Sequence, residues 1–219
     1  MKKLFTLIFF ICWHLTYGQK TVHYNLADLL DNDQLVKDTS NHAQILNDKT
    51  HPGAISTQRI LWLKKVNFSE GVIDIELRGK DVFLKSFLGI AFHGTDDNHY
   101  ELVYFRPFNF KHADTIRRKW AVQYMVVPDY MYDKLRKEYP LVYEHAVNPV
   151  PNPEDWFHAS IAVTFDSVMV YINQALMPSL QVKRLSKTTD GRIGLWDDEL
   201  SGDFANLDLK QTLSESSEK

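Results

Sequence analysis

Residues 72–78 read Val-Ile-Asp-Ile-Glu-Leu-Arg, and this run constrains the fold more than any other stretch. Side chains alternate across a β-strand, so Ile73, Ile75 and Leu77 point one way while Asp74, Glu76 and Arg78 point the other. Gly71 and Gly79 bound the run, which is short and β-branched, so a strand is favoured over a helix. Comparable segments follow at 87–93, 100–106, 120–127, 180–185, 192–196 and 204–210. Two more, 160–165 and 168–173, read as a hairpin around Asp166-Ser167, and weaker strands are expected at 43–46, 53–56 and 60–63. Short strands at this spacing, parted by Gly, Asp, Asn and Pro, predict an all-β, two-sheet antiparallel sandwich or barrel.

Two segments break the pattern. Residues 106–119 carry Arg106, Lys111, Arg117, Arg118 and Lys119 against Asp114 and read as a long basic loop. Met131, Leu135 and Tyr139 recur at helical spacing after Pro128-Asp129, which predicts one short amphipathic helix stopped by Pro140. Pro149, Pro151 and Pro153 then set an extended crossing to Trp156.

Thirteen Phe, ten Tyr and five Trp supply too much apolar surface for a disordered chain. One cysteine excludes a disulfide scaffold and a cysteine-type zinc site. A net charge of −3 gives no electrostatic footprint for nucleic acid. At the N-terminus, Lys2 and Lys3 precede an apolar run from Leu4 to Leu15, and Gly18 offers a small residue before Gln19. That order is the pattern of a secretory signal peptide, and the run is too short to span a bilayer. Ile11 stands before Cys12 where a lipid-anchor motif needs a small residue. The expected organisation is a leader at 1–18, an N-terminal strand and lead-in at 19–42, one sandwich at 43–211 and a frayed tail at 212–219. The mature chain is then secreted or periplasmic, with no membrane span.

The C-terminal half carries a motif order. Trp156 leads into Val168-Met169-Val170-Tyr171-Ile172-Asn173, then Gly191-Arg192-Ile193-Gly194-Leu195-Trp196, then Gly202-Asp203-Phe204-Ala205-Asn206-Leu207. This order resembles the end of concanavalin A-like lectin/glucanase domains of the laminin-G-like sort. Residues 71–76 and 87–92 look like that family's middle strands, so the resemblance covers about 43–209. It implies a jelly-roll sandwich, and a function among lectins, glycan hydrolases and adhesion modules. Laminarinase-type members carry Glu-x-Asp-x-Glu on one concave strand. Here Asp74 and Glu76 match, but Val72 holds the nucleophile position and cannot form a glycosyl-enzyme bond. Secreted bacterial 3-keto-disaccharide hydrolases share the sandwich.

If Asp74, Glu76 and Arg78 line a concave groove, alternation adds partners from neighbouring strands. The expected carbohydrate-binding set is Glu76, Arg78, His93, Tyr104, Arg106, Gln123 and Trp196, with Tyr124 beside them. Aromatic rings would stack on sugar faces, and carboxylate, amide and guanidinium groups would meet the hydroxyls. Glu76, Glu101 and His99 are the titratable groups that acid–base chemistry would draw on. Asp96, Asp97, Asp197 and Asp203 lie in oxygen-rich loops that suit either a structural calcium or plain solvated turns. The basic loop suits either an anionic polysaccharide or water. The expected function is an exported carbohydrate-binding module. A glycoside hydrolase with a non-standard catalytic set and a structural or adhesion module stand as alternatives.

Overall fold

The structure, a computed structural model, describes residues 19–36 and 42–212. The leader reading for 1–18 and the last residues of the tail fall outside the described residues. The chain begins with β1 (Gln19–Tyr24), α1 (Leu26–Asp31), β2 (Leu35–Val36), β3 (Gln44–Ile45), β4 (Ile55–Thr57) and β5 (Leu61–Phe68). It continues through β6 (Gly71–Arg78), β7 (Ser86–Gly94), β8 (Tyr100–Phe105), α2 (Thr115–Arg118), β9 (Val122–Val127), α3 (Tyr132–Glu138) and β10 (Glu144–His145). The last strands are β11 (Phe157–Val163), β12 (Ser167–Ile172), β13 (Leu180–Lys183), β14 (Gly191–Glu199) and β15 (Gly202–Thr212).

These strands form two antiparallel sheets. The first runs β13-β12-β11-β6-β15-β4-β3, with β1 also paired to β15; the second runs β10-β9-β8-β7-β14-β5-β2. Cross-strand register decides which side chains meet inside. In the first sheet Ile73, Ile75 and Leu77 stand opposite Ile161, Ala159 and Phe157, all at most 2% exposed. In the second, Leu88, Ile90 and Phe92 share a side with Phe105, Val103 and Glu101. The layers meet ring to ring: Phe157 of the first sheet packs edge-on against Phe105 of the second, with centroids 5.1 Å apart. Fully burying side chains of this size stabilises by roughly 1.5–3 kcal/mol each.

Several details depart from the sequence reading. β1 pairs with β15 along its whole length, from Gln19↔Thr212 to Tyr24↔Leu207. Helix α1 was not expected. Its signal is local, since Asn25 caps it by accepting from Asp28 N–H at 3.2 Å and Leu26, Leu29 and Leu30 form its buried stripe. The basic loop contains a 3-10 turn at Pro107–Asn109 and the one-turn helix α2, capped by Asp114. The expected helix after Pro128-Asp129 is present as α3, anchored by Leu135 at 1% exposure.

Candidate functional site

The outward face of the second sheet is where aromatic and polar groups collect. Register places Glu144, Gln123, Tyr104, Gly89 and Trp196 in one row across β10, β9, β8, β7 and β14. The next row is Met125, Leu102, Ala91, Gly194 and Trp62. Glycine is needed where the neighbours come close. A Cβ on Gly194 would stand 2.8 Å from the Trp62 ring, and one on Gly94 would stand 2.5 Å from it. The Trp62 indole therefore lies against the sheet over two residues that lack side chains. One row over, Trp196 and Tyr104 meet across Gly89 with ring centroids 5.4 Å apart.

Beneath this surface sits a polar cluster built on Arg106. Arg106 Nη1 donates to the Trp120 carbonyl at 2.8 Å, and Nη2 donates to the Tyr104 hydroxyl and to Gln123 Oε1. Tyr104 OH also donates to Gln123 Oε1 at 2.8 Å, while Gln123 Nε2 is buried without a partner. Burial holds the Arg106 pKa below its ordinary value and pushes the Tyr104 phenol up. Helix α3 closes one side. Its Arg136 grips Glu144 through Nε at 3.0 Å and Nη2 at 2.8 Å, and stacks 4.4 Å over Trp120. Tyr132, one turn earlier on the same helix face, is 49% exposed. Between α3 and β14 lies a cleft of about 370 Å³, lined by Leu84, Phe87, Tyr104, Arg106, Met125, Met131, Tyr132, Arg136, Trp196, Asp198 and Glu199.

Four of the expected binding residues, Tyr104, Arg106, Gln123 and Trp196, are thus brought together. The other three are elsewhere, which corrects the expectation of a single face. Glu76 and Arg78 face outward from the first sheet, on the far side of the core. There a loop of the same chain engages them. His51 Nε2 pairs with Glu76 at 2.8 Å, Arg78 Nε donates to Asp203 at 2.9 Å, and Arg78 lies 4.6 Å over the Trp156 ring. Asp48 accepts from Trp156 Nε1 at 3.0 Å, and hydrogen bonds from Thr50 and Trp156 hold its carboxyl below the usual range. His93 points into the core for a different reason. Phe92 and His93 together oppose Ile193, a β-bulge with His93 at φ 51°, so alternation fails there by one residue.

His93 Nδ1 lies 2.7 Å from Glu101 Oε1, and Tyr124 OH donates to Glu101 Oε2 at 2.5 Å. Arg184 completes the buried set, donating from Nε to Glu101 Oε2 at 3.1 Å. Burial alone would raise the Glu101 pKa, but hydrogen bonds from His93, Arg184 and Tyr124 outweigh it and hold the carboxyl low. The three residues considered for acid–base work are therefore in three places. Glu101 is locked between the sheets, Glu76 is on the first sheet, and His99 is in an exposed turn 2.8 Å from Asp96.

The calcium expectation also finds no donor set. Among the described residues, no three His, Cys, Asp or Glu side chains converge to hold a metal. Asp96 serves His99, Asp97 accepts from Trp62 Nε1 at 2.9 Å, and Asp203 serves Arg78. Asp197 is 2% exposed, and its Oδ1 accepts from Arg59 N–H at 2.7 Å. Burial pushes its pKa up to about 8. The sequence reading missed Tyr132, Arg136, Met131 and Phe87. The signal for the first three was the amphipathic helix, but nothing local said which sheet it covers.

No protein-family model matches the sequence, and no curated protein does. Solved structures do match in shape. The carbohydrate-binding module CBM66 from Bacillus subtilis aligns with TM-score 0.56 at 10% identity, covering 80% of this chain and 95% of its own. A Bacillus subtilis protein of unknown function with a galectin-like fold aligns at 0.57 and 13% identity, covering 89% and 98%. The carbohydrate recognition domain of Emp46p aligns at 0.54 and 10% identity, covering 87% and 96%. The fold is the concanavalin A-like sandwich.

Proposed function

We propose that the chain is an exported carbohydrate-binding module whose glycan lies in the cleft between α3 and β14. The observation that carries this reading is the buried Arg106–Tyr104–Gln123 cluster, set under an open aromatic surface. Sugars offer an apolar ring face edged by hydroxyls, and the cleft offers the complement: Trp196 and Tyr132 for the face, Arg136 for the hydroxyls. The likeness to a carbohydrate-binding module and to a carbohydrate recognition domain supports the same class of ligand. Arg106 and Arg136 share the single carboxylate Glu144, standing 3.8 and 2.8 Å from it. Asp198 and Glu199 also line the cleft, so its charges are mixed and Arg136 stands there as a hydroxyl donor beside carboxylate acceptors. Export rests on the leader-like residues 1–18, with their charged start, apolar middle and small-residue exit.

A glycan array tests the proposal. Trp196→Ala and Tyr132→Ala are expected to weaken binding about tenfold or more. Absence of binding to any glycan by the folded wild-type protein overturns the reading. N-terminal sequencing of the protein recovered outside the cytoplasm should begin at Gln19.

A further inference from the structure

The cleft does not end at Trp196. On the other side of this indole lies a second hollow of about 420 Å³, lined among others by Arg59, Trp62, Asp97, Asn98, Trp196 and Asp198. Trp196 and Asp198 line both hollows, so the two adjoin along the outward face of the second sheet. Each volume falls near the lower end of the range for small-ligand sites, roughly 300–1,000 Å³. The two halves differ in chemistry. The cleft near α3 offers the part-exposed guanidinium of Arg136, with Arg106 spent beneath it on Trp120, Tyr104 and Gln123. The second hollow is acceptor-rich. Asp97 is 70% exposed and spends only Oδ1 on Trp62 and Arg192, and Asp198 spends only Oδ1 on Glu199 N–H. Under its wall, Asp197 Oδ2 is buried without a hydrogen-bond partner.

We infer that the two hollows form one groove and that its ligand is an internal stretch of a linear polysaccharide laid across Trp196, rather than a single terminal sugar. This inference rests on the glycan reading above and adds the form of the ligand. A terminal sugar would use one hollow and leave the other with nothing to do. A chain crossing Trp196 would place one residue over the guanidinium side and another over the carboxylate side, with the shared indole under the ring between them. Carboxylates accept from pairs of sugar hydroxyls, which suits a neutral unit on the Asp97–Asp198 side.

Length ladders distinguish the two forms. Cello-, xylo-, laminari- and oligogalacturonide series of two to eight units would be titrated calorimetrically against the wild-type chain, Asn98→Trp and Arg59→Glu. Asn98 and Arg59 are exposed residues of the second hollow, away from the Arg106 cluster. The expected result is an affinity that climbs about tenfold or more from the shortest bound member to those that fill both hollows. Both variants should flatten that climb while melting at the wild-type temperature. Binding that is independent of length and indifferent to both variants overturns the extended groove and leaves the glycan reading intact. Failure of every ladder to bind, together with an empty glycan array, overturns the glycan reading itself.

Discussion

Arg136 holds Glu144 with two nitrogens, and Glu144 is 3% exposed, so helix α3 is fastened to the edge strand of the second sheet through a buried carboxylate. Removing the cation leaves a carboxylate that only Arg106 faces, at 3.8 Å. Arg136→Ala should cost about 1–3 kcal/mol in urea unfolding. Combining it with Glu144→Gln should cost less than the sum of the two single changes, because the residues act as a pair. Strict additivity would show that α3 is held by Leu135 alone.

Arg184 and Glu101 form the second ion pair, this time between the sheets, each side chain at most 2% exposed. Arg184→Met leaves Glu101 charged and buried beside His93 and Tyr124, and should destabilise by about 3–5 kcal/mol. Converting the pair together, Arg184→Met with Glu101→Leu, should recover much of that loss. Chemical denaturation of the three variants measures both effects.

Asp197 sets a stability trend with pH. Its folded pKa of about 8 lies above the ordinary value of 3.8, so the folded state binds the extra proton between those values. Stability from this group is therefore greatest below pH 4 and declines as pH rises toward 8. Asp74 acts in the opposite sense. Burial would raise its pKa, but hydrogen bonds from His158, Lys210 and Ser160 prevail and lower it, so its contribution is lost in acid. Asp197→Asn carries no charge to bury. It should flatten the decline between pH 5 and 8 and raise the melting temperature most at the upper end. An unchanged pH profile in the variant would mean that another group sets the trend.

Gly194→Ala tests the bed under Trp62. The added methyl would stand 2.8 Å from the indole and 2.9 Å from the Leu61 carbonyl. It should cost about 1–3 kcal/mol as an overpacked contact and change the tryptophan fluorescence. A variant as stable as the parent, with the same spectrum, would mean that the strands part easily at that point.

The sheet pattern was legible wherever polar and apolar residues alternate regularly. Ile73, Ile75 and Leu77 fall inside, as do Ile193 and Leu195, with Trp196 turned the other way. Alternation names the two sides of one strand, but not which sheet that strand joins. Glu76 and Tyr104 consequently looked like neighbours until strand order put β6 and β8 in different layers. His93 was misread because one extra residue in β7 reverses the side it faces, and local sequence carries no mark of that. Arg136 and Tyr132 stayed hidden for a similar reason, since the surface an amphipathic helix covers is fixed by tertiary docking. The Arg106 cluster was readable because Tyr104 and Gln123 lie on strands adjacent in both sequence and space, and Arg106 directly follows the first of them.

The loop that carries Asp48 covers the Glu76–Arg78 end of the first sheet's outer side. Asp48 takes hydrogen bonds from Thr50 N–H, His51 N–H and Trp156 Nε1, which pins residues 48–51 over the outer side of β6. Lys49 projects into water from the middle of that pinned loop. A dye or surface linker attached to its amine would sit on a firm base a full molecule's thickness from the α3 cleft, so the protein could be immobilised with its open side presented to solution.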